Sequence, residues 1–138
     1  MIPFPEVAEY AAALPDVDEG TRYGHRTWLV HGKVFAWERP FSKADVKRFG
    51  DDAPPTGPIL ALSTDGLDEK DAILEAGLRG FFTIPHFDGF AAVLVDLSVA
   101  TKRDVKRAIV DAWLCCAPDD LAQDFLARAR RRISRTGD

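Results

Sequence analysis

At 138 residues, 46% hydrophobic and 29% charged, the chain has the size and composition of one ordinary globular domain spanning 1–138, which excludes a disordered, collagen-like or disulfide-scaffold protein. No apolar stretch approaches the ~20 residues needed to cross a bilayer, and Met1-Ile2-Pro3-Phe4-Pro5-Glu6 lacks the basic head and apolar run of a signal peptide, so a cytoplasmic protein without a membrane partner is expected. The formal charge of −4 is unevenly spread: residues 1–100 carry 9 basic and 16 acidic side chains, residues 101–138 carry 9 and 6.

The first helix is predicted from Phe4 to Leu14, where Val7, Tyr10, Ala11 and Leu14 recur at the spacing of one helical face, and Pro15 ends it. Asp16-Val17-Asp18-Glu19-Gly20 reads as an acidic turn leading to Tyr23-Gly24-His25. Thr27-Trp28-Leu29-Val30-His31 and Val34-Phe35-Ala36-Trp37-Glu38 are rich in β-formers and flank Gly32-Lys33, which predicts a tight hairpin. Residues 41–58 form an irregular excursion in which Ser42-Lys43-Ala44-Asp45 resembles a capping box for a short helix through Phe49. Ile59 to Thr64 predicts a strand, and Asp68 to Ala76 a helix with Gly77 at its C-terminal cap.

Phe81-Phe82-Thr83-Ile84 and Ala91-Ala92-Val93-Leu94-Val95 predict two further strands joined by the loop Pro85-His86-Phe87-Asp88-Gly89-Phe90, the second strand buried on both faces. Thr101, with Asp104 three residues on, caps a helix whose apolar stripe runs through Val105, Ala108, Ile109, Ala112 and Cys116 before Pro118 breaks it. A last helix begins at Asp119 or Asp120. Hairpin-like pairs outnumber strand–helix–strand alternation, so the expected fold class is α+β: a mostly antiparallel sheet with N- and C-terminal helices packed on one face.

The order Pro15-Asp16-Val17, Tyr23-Gly24, Val30-His31-Gly32-Lys33-Val34-Phe35-Ala36, Pro85-His86-Phe87-Asp88-Gly89-Phe90, Val93-Leu94-Val95 and Trp113 with Ala117-Pro118 resembles the MmcQ/YjbR family over nearly the whole chain. The resemblance implies a frataxin (CyaY)-like fold and a non-enzymatic, double-wing DNA-binding protein. Ala91 and the pair Asp119-Asp120 depart from the family's pattern, which has a proline after the loop aromatic and a basic residue after Ala-Pro.

For double-stranded DNA, the candidate phosphate contacts are Arg26, Lys33 and Arg39 on the hairpin with Lys43, Lys47 and Arg48 on the excursion. The chain has no asparagine and one glutamine, Gln123, so the amides that read adenine are nearly absent and low sequence specificity is expected. A second basic strip comprises Lys102, Arg103, Lys106 and Arg107 with Arg128, Arg130, Arg131 and Arg132.

The alternative is a small-molecule- or protein-binding module using the Pro85–Phe90 loop, with Tyr23, His25, His86 and Asp88 as its candidate site. Those residue types suit acid–base chemistry, yet Asp88 beside Gly89 is more simply a turn former, and the chain holds no G-x-S-x-G elbow, P-loop, dinucleotide fingerprint or H-E-x-x-H helix; no enzyme is expected. Cys115 and Cys116 are neighbours whose Cα atoms lie about 3.8 Å apart, below the usual disulfide range, and are expected as reduced thiols. His25, His31 and His86 show none of the short Cys/His spacings of zinc sites, so neither a metal nor another cofactor is expected.

Overall fold

In the computed structural model, residues 1–136 are described, with side chains through Arg132; the last two positions of the expected domain lie outside the described residues. Helix α1 (Phe4–Ala12) begins after an extended Pro3 and buries Val7 and Ala11. Three strands follow as a meander: β1 (Val17–Arg22), β2 (His25–Val30) and β3 (Lys33–Glu38). Both connections are two-residue turns, Tyr23-Gly24 with φ of 54° and 78° and His31-Gly32 with φ of 48° and 80°. Positive φ at both central residues defines the type I′ turn, whose twist matches that of paired strands.

Strand β1 corrects the expectation of an acidic turn over Asp16–Gly20. It is an edge strand, and four of its six residues are exposed. Pairing with β2 supplies the backbone hydrogen bonds that make it a strand, so apolar alternation is not required.

Between β2 and β3 the register shifts: Trp28 faces Ala36 but Leu29 faces Val34. Phe35 is the extra residue of a β-bulge, and both Phe35 and Ala36 therefore enter the same core. Helix α2 (Lys43–Arg48) carries the expected capping box, with the Asp45 amide donating to Ser42 Oγ and the Ser42 amide donating to Asp45 Oδ2. Strand β4 (Ile59–Ser63), helix α3 (Gly66–Glu75), the short β5 (Phe81–Phe82), a single 3-10 turn at Pro85–Phe87 and β6 (Ala92–Asp96) complete the sheet. Helix α4 (Lys102–Cys116), capped by the Thr101 hydroxyl accepting from the Asp104 amide, and α5 (Asp119–Thr136) end the fold.

The six strands lie in the order β1-β2-β3-β4-β6-β5, and every neighbouring pair is antiparallel. The predicted α+β class is the observed one. Strands β4 and β6 sit in the interior, and β6 is buried along its whole length because both faces are covered. On one face Trp28, Val30, Leu60, Leu62, Val93 and Val95 pack against Val7 and Ala11 of α1 and Val105, Ile109 and Trp113 of α4. The Trp113 indole N–H donates to Pro15 O at 3.0 Å, tying α4 to the exit of α1.

The helices do not all gather on that face. Phe41 and Phe49, which flank α2, pack on the other side with Phe82, Ile84 and Phe87 over Ile59, Ala61, Ala92 and Leu94. This second cover reaches Trp37 on β3, where a cleft opens over the same face of the β2–β3 hairpin. Among the described residues no helix is long and apolar enough to cross a membrane.

Candidate ligand-binding cleft

Alternation along the strands determines which side chains meet in the cleft. Thr27 lies opposite Trp37, and Ser63 opposite Ala92, so Thr27, Trp37 and Ser63 share the face away from α1 and α4. Val34, brought to that face by the bulge, completes the floor. The walls come from the β1–β2 turn with Arg22, Tyr23 and His25, from the end of β3 with Glu38, Arg39 and Pro40, and from Phe90. The cleft has a volume of about 490 Å³.

The aromatic wall is built by packing within the Pro85–Phe90 loop. Phe90 meets Trp37 edge-on with centroids 6.4 Å apart, and Phe87 packs on both rings at 6.5 Å from Trp37 and 5.5 Å from Phe90. Phe87 is buried and anchors the loop, whereas Phe90 is half exposed at the cleft. The Arg39 guanidinium lies 5.5 Å above the Phe87 ring and pairs with Asp45 Oδ2 at 3.0 Å. Asp45 also receives Arg48 at 3.4 Å. Burial alone would raise the Asp45 pKa, but the hydrogen bonds with Ser42 and the Arg39 charge outweigh it and hold the carboxyl below its ordinary 3.8.

Beneath the loop is Lys70 of α3, only 4% exposed, whose ammonium donates to Phe87 O at 2.6 Å and Phe90 O at 2.8 Å. Burial lowers its pKa, with Asp88 and Asp71 acting in the opposite direction. Lys70 carries no signal in the sequence: within the charged run Asp68-Glu69-Lys70-Asp71 a lysine looks solvated, and its contact with a loop 17 residues away leaves no periodic pattern.

Of the four candidate ligand residues, Tyr23 and His25 line the cleft, while His86 and Asp88 do not. His86 is exposed and tilts against the Phe87 ring, and Asp88 lies on the outside of the loop, where it bears electrostatically on Lys70. The loop therefore contributes an aromatic, Phe90, in place of the expected His–Asp pair, and Lys70 of α3 holds it from beneath.

The candidate nucleic-acid strip is divided between the two faces of the sheet. Arg26 sits 5.6 Å over Trp28 on the helix-bearing face and pairs with Glu19 at 3.0 Å, and Lys33 stands opposite Val30 of that same core. Arg39 and Arg48 lie on the other face, bound to Asp45. Lys33, Lys43 and Lys47 are exposed and form no ion pair among the described residues. In the second strip Lys102 pairs with Glu6 at 2.9 Å, which accounts for a lysine in the first turn of α4; Lys106 lies 4.9 Å over Tyr10, and Arg128 pairs with Asp124.

Cys115 and Cys116 are free thiols with their sulfurs 3.6 Å apart. The Cys116 pKa is lowered to about 7, chiefly by the hydrogen bond from the Cys115 thiol and further by Ser63 and Lys33, against the effect of burial; Cys115 is raised by the same contact and by burial. Among the described residues no group of three or more His, Cys, Asp and Glu side chains is arranged to hold a metal ion.

Two relatives are each 37% identical to this chain over 132 residues, covering 94% of it and 99% of their own length: Uncharacterized protein Rv2570 of Mycobacterium tuberculosis and Uncharacterized protein Mb2600 of Mycobacterium bovis. The chain belongs to the family of these proteins. No family model matches it, and no solved structure does.

Proposed function

We propose that the protein is a non-catalytic binding module that takes a small ligand with a planar apolar part in the cleft over the β2–β3 hairpin. The observation that carries this reading is the cleft itself, a space of about 490 Å³ with Trp37, Val34 and Phe90 as its apolar surfaces and His25, Thr27, Glu38, Arg39 and Ser63 among its polar lining residues. Small-molecule sites are of this kind, mostly apolar concavities of roughly 300–1,000 Å³ with a few placed polar groups. The Trp37 and Phe90 rings offer stacking and edge contacts, while the His25 imidazole offers a hydrogen-bonding group to a polar or acidic substituent; Arg39 is already paired with Asp45 and stiffens the wall. Aromatic carboxylates are the first ligand class to test.

Trp37 also supplies the readout, because Trp28 and Trp113 are buried in the other core and Trp37 is the tryptophan that lines the cleft. A panel of aromatic carboxylates should change tryptophan fluorescence in the wild type, leave it unchanged in Trp37→Phe, and shift amide resonances at His25, Ser63 and Phe90. Resonance shifts that cluster elsewhere, or none across the panel, would remove the assignment.

Double-stranded DNA is the second reading, supported by exposed Lys43 and Lys47 beside the cleft's Arg39 side. It predicts affinity that falls steeply with salt, and a loss on charge reversal at both lysines. A salt-independent or absent interaction with duplex DNA discards it.

A further inference from the structure

Strand β1 is an edge strand, and its outward hydrogen-bonding groups are identifiable from its hairpin. In a two-residue hairpin the residues flanking the turn form a hydrogen-bonded pair, so Arg22 with His25, Gly20 with Thr27 and Asp18 with Leu29 spend their backbone groups on β2. Val17, Glu19 and Thr21 then direct N–H and C=O away from the sheet. Exposed edges of this kind are templates for another strand unless something blocks them, and β1 has neither a proline nor a bulge.

We propose that the strand that pairs there is β1 of a second copy of this chain, antiparallel, centred on Gly20. Two requirements select this register. The outward residues must face one another, which leaves centres at Glu19, Gly20 or Thr21 near the middle of the strand. Centring on Glu19 would put two glutamates directly opposite, a destabilising like-charge pair. Centring on Gly20 places Glu19 and Thr21 in hydrogen-bonded pairs and sets Asp18 of each copy opposite Arg22 of the other. Those are non-hydrogen-bonded positions, where side chains approach most closely.

The chain supplies the charges for this arrangement. Asp18 and Arg22 lie on the same sheet face, both exposed, and neither has an ion-pair partner among the described residues. Four residues apart on an extended strand they are roughly 13 Å distant, too far to pair within one copy. Twofold pairing satisfies both charges twice and joins the two sheets into one. Arg22 also borders the cleft, so the two clefts come to lie side by side on one face, although the pairing does not depend on what the clefts bind.

Sedimentation equilibrium over a range of concentrations tests the pairing with four proteins, each checked for folding by circular dichroism. The wild type should dimerise. Arg22→Glu turns both cross-strand pairs into repulsions and should weaken the dimer on the order of tenfold or more. The exchange Asp18→Arg with Arg22→Asp restores complementarity and should recover it. Thr21→Pro removes an outward N–H that the isolated fold does not use, and should give a folded monomer. A wild type that stays monomeric at every concentration, or a dimer indifferent to Arg22→Glu, overturns the proposal; if Thr21→Pro fails to fold, the charge-exchange pair alone decides.

Discussion

Replacing Lys70 by methionine tests the central claim about the cleft, that a buried ammonium holds the aromatic loop in place. The Met side chain keeps most of the apolar stem of lysine but cannot donate, so Phe87 O and Phe90 O lose the ammonium that now lies 2.6 and 2.8 Å away. Hydrogen bonds from a charged group contribute about 1.5–3 kcal/mol each, a gross loss of about 3–6 kcal/mol. Removing a buried cation returns part of this, because the ammonium is desolvated in the fold, as its lowered pKa records. Phe90 O, on the exposed side of the loop, can also turn to water. A net destabilisation of about 2 kcal/mol is expected, equivalent to a fall in Tm of about 6–8 °C for a domain of this size.

Urea titration with the wild type and Lys70→Met gives the stability difference. Amide hydrogen exchange in the native state shows where the change lies, and protection should drop first across 87–90. A variant within ~0.5 kcal/mol of the wild type, with exchange in the loop unchanged, would refute the reasoning. So would a large loss of stability spread evenly over the sheet, since it would make Lys70 a general core residue rather than a tie for the loop.

Asp45→Ala removes the carboxylate half of the capping box, leaving the Ser42 amide unpaired, and leaves Arg39 without its carboxylate, so a loss of about 2–3 kcal/mol is expected by urea titration. Because the folded pKa of Asp45 lies below 3.8, its contribution is fully present above that pH and is lost as pH falls through the folded value; the gap between wild type and Asp45→Ala should close in that acid range. Iodoacetamide at pH 7 should label Cys116 ahead of Cys115, read by tandem mass spectrometry, and Lys33→Glu should slow the reaction; faster labelling of Cys115 contradicts the assigned polarity. Gly80→Ala meets two obstacles, a φ of 86° and a new Cβ 2.8 Å from Asp96 O, and should cost about 2 kcal/mol or more in thermal or urea unfolding, whereas Gly77→Ala, with φ of 67° and open space around it, should cost less.

Local chemistry and periodicity, both readable along the chain, specify a large part of the fold. The caps at Ser42 and Thr101, the β2–β3 hairpin, the strands β4 and β6 and the stripe of α4 were legible because each is specified by residues a few positions apart. Sequence-based reading also picked out Tyr23 and His25, which reach the cleft from a type I′ turn. Strand β1 was missed because it takes its hydrogen bonds from β2 and its apolar pattern is weak, so a string of acids and a glycine read as a turn.

How distant segments come to share a face depends on packing that no local pattern encodes. The bulge at Phe35 turns Val34 towards the cleft, and sheet alternation splits Arg26 and Lys33 from Arg39 and Arg48, dividing a strip that looked continuous along the chain. Phe90 replaces His86 and Asp88 at the cleft because Phe87 buries itself against Trp37 and Lys70 fixes the carbonyls on either side of the loop's glycine. Packing of one layer on another makes these choices, and the contacts that enforce them join residues far apart in the chain.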